Sequence, residues 1–344
     1  MKIFFSAEYD PRELGPLCEL GEVEIAGWAK GLPNLTEEEL IARTGDADII
    51  VTTFDDITRP VIENAKNLKL IACTRATPVN IDVGAAKERN IPVLFTPGRN
   101  SDATAELTIG LMLSIARRIP MAHAALKAGQ YTAPPENERV TKEGLRPDIF
   151  WGVGKDAPYS VFQGTQLHGK VLGIVGYGSI GRRVGKIARA MGMALLIYDP
   201  YVGEIDVEEF GVRKALSLKE LMSESDFVSC HLKVAPDTIG CISKEMIACM
   251  KPTAYFINAS RSAILDEQAL VEALRERRIA GAALDVYEKE PIVSNHPFIT
   301  ELDNVVITPH IAGAAAEVMT NHTRMIVGEI RRFVNGEKLL YRYV

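Results

Sequence analysis

With 344 residues, 47% of them hydrophobic and 24% charged, the chain has an ordinary globular composition and the length of roughly two domains with sizeable cores. A net charge of −6 without any basic block excludes the electrostatic footprint of a nucleic-acid or anionic-membrane binder. No apolar run approaches the roughly 18–20 residues of a membrane span.

The N-terminus, MKIFFSAEYDPREL, turns acidic before a secretory apolar region develops, so a soluble protein of the cytoplasm is expected. The first part of the chain alternates short apolar runs with helical patterns. Strands are predicted near residues 2–5, 48–53, 69–73 and 92–95, with helices such as 37–42 and 83–88 between them. NSDATAELTIGLMLSIARRI then reads as a long helix, about 103–119, whose apolar residues spread widely enough around it to predict burial on most sides. Asn100, Ser101 and Asp102 are its N-cap candidates. The stretch 131–164 carries Pro134, Pro135, Pro147 and Pro158, and its aromatic residues favour an ordered arm over a floppy linker.

A second alternating series follows, with strands predicted near 171–175, 194–198, 227–231, 254–258, 281–286 and 305–308, and a final helix over about 317–335. Continuous apolar strands such as LGIV and DIIV argue for parallel sheets covered on both faces, twice over. The five cysteines are odd in number, lack metal-ligand spacing and sit mostly in apolar segments, which predicts buried free thiols. No His, Cys and carboxylate cluster has metal-ligand spacing, so no catalytic metal is expected.

The most specific stretch is KVLGIVGYGSIGRRVGKIARAMGMALLIYDP. After the strand, Gly176 permits a tight turn, Gly178 lets backbone approach a pyrophosphate, and Gly181 lets helix and strand pack closely. The pyrophosphate then meets the N-terminus of a helix starting near Ser179, where free N–H groups favour negative charge. Asp199 ends the next strand, 18 residues beyond Gly181, where a carboxylate can accept from both adenosine ribose hydroxyls and repels a 2′-phosphate. The expected cofactor is NAD.

GYGSIG, FINASR, ALDVYEKEP and ITPHIAG occur here in the order and at the spacing of the D-isomer-specific 2-hydroxyacid dehydrogenases, and the chain resembles that family from about residue 46 to 336. The family includes phosphoglycerate, glycerate, D-lactate and formate dehydrogenases and glyoxylate reductases. The resemblance implies an α/β protein of two doubly wound parallel-sheet domains. A flavodoxin-like substrate domain, residues 1–98 with 318–344, would carry an inserted Rossmann NAD domain, residues 99–317, that includes the arm. It also implies a homodimer, acting on a small-molecule 2-keto or 2-hydroxy acid without nucleic acid or membrane.

Reducing a 2-keto acid requires a carboxylate clamp, a proton donor and a group that tunes the donor. Arg261 suits the clamp, because a guanidinium meets a carboxylate bidentately and keeps its charge. His310 suits the donor, since histidine titrates near neutrality, and Glu290 would pair with its other ring nitrogen and raise its pKa. By resemblance these three hold the family's substrate-arginine, acid–base histidine and glutamate positions. The same likeness places Ser179 and Ile180 on the pyrophosphate, and Ala259, Ser260, Asp285 and Gly313 along the nicotinamide. Asn100 falls near the substrate, and His231 in the adenine-side loop as a structural residue or cofactor wall.

The substrate loop departs from the family pattern. CTRATPVNID sets Ala76 and Thr77, with Pro78 following, where backbone N–H groups usually hold the substrate carboxylate and glycine is usual, so an altered loop is expected. Arg75 is a candidate second anion contact. Asp55 and Asp56 stand where phosphoglycerate dehydrogenases carry a basic residue, which favours an unphosphorylated keto acid of the glyoxylate, hydroxypyruvate or sugar-acid type. The alternatives are a D-3-phosphoglycerate dehydrogenase without regulatory domain and, in another class, an NAD-sensing corepressor-like binding protein. Glu290 disfavours a formate dehydrogenase, which pairs its histidine with glutamine.

Overall fold

The computed structural model describes residues 1–132, 154–203 and 211–344, which fall into two compact units, 1–100 with 314–344 and 101–313. Most of the predicted arm lies outside the described residues.

The first unit is built on a five-stranded, all-parallel sheet of β1 (Lys2–Phe5), β2 (Glu22–Ile25), β3 (Ile49–Thr52), β4 (Leu70–Cys73) and β5 (Val93–Leu94). Its order, β2-β1-β3-β4-β5, is the flavodoxin-like one. Four helices cross between the strands: α1 (Pro11–Cys18), α2 (Glu37–Thr44), α3 (Arg59–Asn64) and α4 (Val83–Glu88). β3 and β4 are buried at every position, as continuous apolar strings require when helices cover both faces. β2, reading EVEI with exposed glutamates, is an edge strand that its weak pattern hid from sequence reading. Thr36 and Glu39 start α2 with a reciprocal capping box.

The chain's last residues return to this unit. Helix Ala316–Val334 buries Ile326, Val327 and Ile330 against one face of the sheet. Glu329, fully buried, accepts from the backbone N–H groups of Leu340 (2.8 Å) and Tyr341 (3.0 Å), and Arg342 pairs antiparallel with Leu94 at the sheet edge.

In the second unit, α5 (Ser101–Ala116) ends sooner than the sequence suggests. Arg118 is left-handed (φ 53°) and Pro120 follows, so the chain restarts as α6 (Ile119–Lys127). Only Asp102 and Glu106 of α5 are exposed, whereas α6 buries nothing. After α7 (Pro158–Val161) comes a seven-stranded parallel sheet: β6 (Val171–Val175), β7 (Ala194–Tyr198), β8 (Arg213–Lys214), β9 (Phe227–Cys230), β10 (Tyr255–Asn258), β11 (Gly281–Leu284) and β12 (Val305–Ile307), with α8 (Ser179–Ala190) between β6 and β7.

Its order, β12-β11-β10-β9-β6-β7-β8, reverses direction between β6 and β9, which is the Rossmann switch point. Leu172 and Ile174 point into one apolar layer and Val175 into the other, so the sheet is covered on both faces. Among the described residues no helix is long and apolar enough to cross a membrane. The thiols are less uniform than expected. Cys73 and Cys230 are buried and Cys241 and Cys249 half-buried, but Cys18, one position past the buried Leu17, is exposed.

A buried histidine fixes the C-terminal helix in the first unit. His322 accepts from an Arg99 guanidinium N–H at Nδ1 (2.9 Å) and bonds the Glu8 carbonyl through Nε2 (2.9 Å). Burial, reinforced by the Arg99 charge, pushes the ring down to about 4. The unfolded ring takes a proton near pH 6.5 and the folded ring refuses it until about pH 4, so His322 withdraws stability as pH falls through that window. Denaturant titrations should therefore show wild type losing up to about 3 kcal/mol more than His322→Asn between pH 7 and pH 4. Parallel pH dependences would refute the assignment.

Candidate active site

Every candidate residue of the second unit stands in a loop that leaves the carboxyl edge of its sheet, or in the first turn of the helix that follows such a loop. After β6, Gly176 turns with φ +90°, and a Cβ there would sit 2.9 Å from the His231 carbonyl oxygen. A Cβ on Gly181 would meet the Gly176 carbonyl oxygen at 2.3 Å. Both glycines are thus required by the fold. A Cβ on Gly178, by contrast, would meet nothing within 4 Å, so the fold leaves room above that backbone. The same residue caps α8 without a side chain, and the first N–H groups of the helix, at Ser179 and Ile180, have no intrahelical acceptor. The Ser179 hydroxyl bonds Ser101 (2.9 Å) and accepts from Arg183 (2.8 Å), while Arg182 lies 4.9 Å from the centre of the Tyr177 ring.

Asp199, at the end of β7, is drawn onto this loop. It accepts from the Tyr177 N–H (2.8 Å) and the Tyr201 N–H (2.9 Å), and no described cation pairs with it. An open cradle, free helix N–H groups and an adjacent carboxylate without a cation among the described residues fit a dinucleotide: Gly178, Ser179 and Ile180 would hold the pyrophosphate and Asp199 the ribose. At the end of β9, burial pushes His231 down to about 4, and its Nδ1 has no partner among the described residues while Nε2 bonds Ser229 (2.9 Å).

After β10, the fully buried Asn258 shapes the turn. Its Oδ1 accepts from the Ser260 N–H (3.0 Å) and hydroxyl (2.7 Å), and its Nδ2 donates to the Arg261 carbonyl (3.0 Å). Ala259 and Ser260 are buried within that turn, and Arg261 is thrown outward. Its guanidinium donates only to the Ser260 carbonyl (2.6 Å) and is within ion-pair distance of no carboxylate among the described residues.

Asp285 stands fully buried after β11. It accepts from the Thr308 hydroxyl (2.6 Å) and the N–H groups of Ile311 (2.8 Å) and Ala312 (2.8 Å), holding the loop after β12. Within that loop His310 is left-handed, φ +55°. Its Nδ1 lies 2.6 Å from Glu290 Oε2. Burial pushes Glu290 up, but its bonds from His310 and from the Tyr287 N–H (3.1 Å) outweigh that and, with the charge of Arg261, hold the carboxyl below its ordinary value.

Glu267 secures the other side of the Glu290 loop, accepting from the Glu288 N–H (3.0 Å) and bonding His296 Nε2 (3.2 Å). Asn258, Glu267 and His296 were not legible as site residues, because each acts on backbone rather than on a ligand. Gly313 closes the loop at the boundary of the unit.

The other candidates belong to the first unit. Ala76 and Thr77 are exposed after β4, and neither takes a positive φ, so residues other than glycine are accommodated there without strain. Asn100 is half-buried at the end of the first unit's opening segment.

Residues 109–312 match the family model of the D-isomer specific 2-hydroxyacid dehydrogenase, NAD binding domain. The chain belongs to this family. It is 39% identical over 322 residues to the D-3-phosphoglycerate dehydrogenase of Methanocaldococcus jannaschii, covering 93% of this chain but 55% of that one. The chain thus spans about half the length of that relative. The glyoxylate reductase of Thermococcus litoralis is 34% identical, with 98% of this chain and 94% of that one covered. The apo-structure of D-lactate dehydrogenase from Escherichia coli superposes with a TM-score of 0.76 at 28% identity, over 100% of both chains.

The glycine geometry separates an NAD role from a folding role. Gly178→Val should keep its melting temperature and weaken NADH at least about tenfold, roughly 1.4 kcal/mol. Gly181→Ala should instead cost about 1–3 kcal/mol of stability through its clash. Normal NADH affinity in a folded Gly178→Val protein would contradict the pyrophosphate assignment.

Proposed function

We propose that the chain catalyses reversible hydride transfer between NADH and a small 2-keto acid, as a D-2-hydroxyacid dehydrogenase. One observation carries the reading: an exposed histidine whose Nδ1 is held 2.6 Å from a carboxylate, in the electrostatic neighbourhood of an unpaired arginine, at the carboxyl edge of a Rossmann sheet. We assign residues 99–317 as the NAD domain and 1–98 with 318–344 as the substrate domain, Ala76, Thr77 and Asn100 lying on the substrate side.

In this reading Arg261 clamps the substrate carboxylate. NADH, when bound, supplies the hydride that goes to the carbonyl carbon. The bond between Glu290 and Nδ1 leaves Nε2 of His310 to carry the mobile proton, which passes to the carbonyl oxygen as charge develops there. The product is a 2-hydroxy acid, and in the reverse direction the neutral imidazole accepts the hydroxyl proton. Asp285 positions the histidine without touching the reaction.

The substrate we favour is unphosphorylated, of the glyoxylate, hydroxypyruvate or sugar-acid type. The structure narrows the reason. Asp55 is fully buried with one carboxylate oxygen accepting from the Leu35 N–H (2.8 Å), so of the two acids only Asp56 is exposed to meet a phosphate directly. For assembly we propose a homodimer. Helix α6 buries nothing while exposing Ile119 (52%) and Leu126 (55%), and Tyr131 and Tyr159 stand exposed beyond it. Light scattering at micromolar concentration should give twice the chain mass; a monomer would refute the dimer.

His310→Asn should lower turnover by about 10²–10⁴ while NADH binding persists. Glu290 is anionic at neutral pH and accepts from Nδ1 of His310, which orients the ring. Glu290→Gln should therefore lower turnover at least about tenfold while NADH binding persists, and unchanged turnover would sink the pair. With Asp199 facing the 2′ position, NADH should be preferred over NADPH at least about tenfold, roughly 1.4 kcal/mol. Equal efficiency with both would overturn that role.

A further inference from the structure

The stretch of chain that carries Glu290 has little to hold it. Among the described residues, no main-chain group of residues 286–292 bonds another main-chain group. Glu288, Lys289 and Glu290 are exposed, and a pocket of about 190 Å³ lined by Val271, Tyr287, Lys289 and Val293 opens against them, so packing does not back the segment there. A segment of this kind has low local stability. Tyr287 is pinned through its hydroxyl to the Thr308 carbonyl (2.7 Å). Beyond it, one group outside the stretch reaches its main chain: the Glu267 carboxylate, which accepts from the Glu288 N–H (3.0 Å).

Glu267 is the first residue of the helix Glu267–Arg275, a position that favours an ionised carboxylate. Its side chain is only 10% exposed, and its second oxygen lies 3.2 Å from His296 Nε2. The other ring nitrogen, Nδ1, accepts from the Phe298 N–H (3.2 Å) at the start of the helix Pro297–Thr300. An imidazole nitrogen that accepts a bond carries no proton, so the ring proton sits on Nε2 and points at Glu267. One carboxylate is thus saturated by two N–H donors, one from the Glu290 stretch and one from His296. Glutamine could not replace it, because its amide has a single oxygen and would turn an NH₂ group against the other donor.

We propose that Glu267 and His296 are positioning residues for the acid–base step: through the Glu288 N–H they set the placement of Glu290, and through Glu290 the orientation of the His310 ring. The links run from His296 to Glu267, from Glu267 to the Glu288 N–H, along the chain to Glu290, and across 2.6 Å to His310 Nδ1. Glu288 and Glu290 stand two positions apart on a stretch without other outside anchors, so a shift at one is passed to the other. A misplacement of about 1 Å in a catalytic group can cost about 10²-fold in rate. The effect on turnover rests on the dehydrogenase reading, whereas the coupling to the His310 ring does not.

A double-mutant cycle separates positioning from general support. Glu267→Gln should lower kcat at least about tenfold with NADH affinity retained, but less than about twofold when Glu290 is already glutamine. Losses of equal size in both backgrounds would overturn the proposal. His296→Gln, which restores an N–H donor at the Nε2 position, should keep more turnover than His296→Asn, which restores only the acceptor for Phe298. The reverse order would reduce His296 to a helix cap and overturn its part. Independently of turnover, ¹⁵N spectra of the His310 ring, assigned by their loss in His310→Asn, should shift in Glu267→Gln in the direction they shift in Glu290→Gln. Unmoved ring resonances in a folded Glu267→Gln protein would overturn the coupling. Ring resonances that move together in a protein reducing no keto acid would instead refute the catalytic reading and leave the brace standing.

Discussion

A buried carboxylate holds the loop of His310 in place. Asp285 has no exposed surface, and its oxygens accept from the Thr308 hydroxyl and the N–H groups of Ile311 and Ala312, so they stitch the end of β11 to the loop after β12. Charge-assisted bonds of this kind are strong, and a buried carboxylate left without them would be far more costly than any one of them is favourable. The loop they fix keeps His310 in a left-handed conformation that a non-glycine residue adopts only when its surroundings dictate it. Tyr287 reinforces the arrangement from the Glu290 side, its hydroxyl bonding the Thr308 carbonyl (2.7 Å). The Glu290–His310 pair is therefore the outcome of a braced backbone rather than of two side chains meeting by chance.

The same economy governs the nucleotide loop. Gly176 and Gly181 are glycine because the fold has no room for a Cβ, whereas Gly178 is glycine although the fold has room to spare. Asp199 serves both demands, since it anchors the loop through the Tyr177 N–H and remains open to hydroxyl donors. In the first unit, Arg99 and His322 combine structure and charge in a comparable way. The ring ties the last helix to the β1–α1 loop and stays neutral.

What could be read in advance follows from burial. Strands covered on both faces, such as IIVT, LIAC and VLGIV, appear as unbroken apolar strings, and both sheets were legible from them. EVEI at the edge of the first sheet and the two-residue β8 at the edge of the second carry no such string and were missed. The break after α5 depends on Arg118 turning left-handed before Pro120, which the apolar pattern running through Ile119 concealed. At the site, the residues proposed to meet ligands carry recognisable chemistry: a glycine triad, an arginine, a His and Glu pair. Asn258, Glu267 and the bonds of Asp285 shape backbone, and only three-dimensional proximity identifies them. Asp55, taken from sequence as a charge open to substrate, is instead an internal bond to Leu35.

The account stands on one claim, that hydride passes to the carbonyl carbon of a 2-keto acid at the carboxyl edge of the Rossmann sheet. Isotope transfer tests it most directly. The protein would be incubated with NADH deuterated at the nicotinamide C4 position and a panel of glyoxylate, hydroxypyruvate, pyruvate and four-carbon sugar-acid ketones, and the products analysed by mass spectrometry and chiral separation. The account predicts a D-2-hydroxy acid carrying deuterium at C2 from at least one member of the panel. An absence of labelled hydroxy acid across the whole panel, with NADH demonstrably bound, would contradict it.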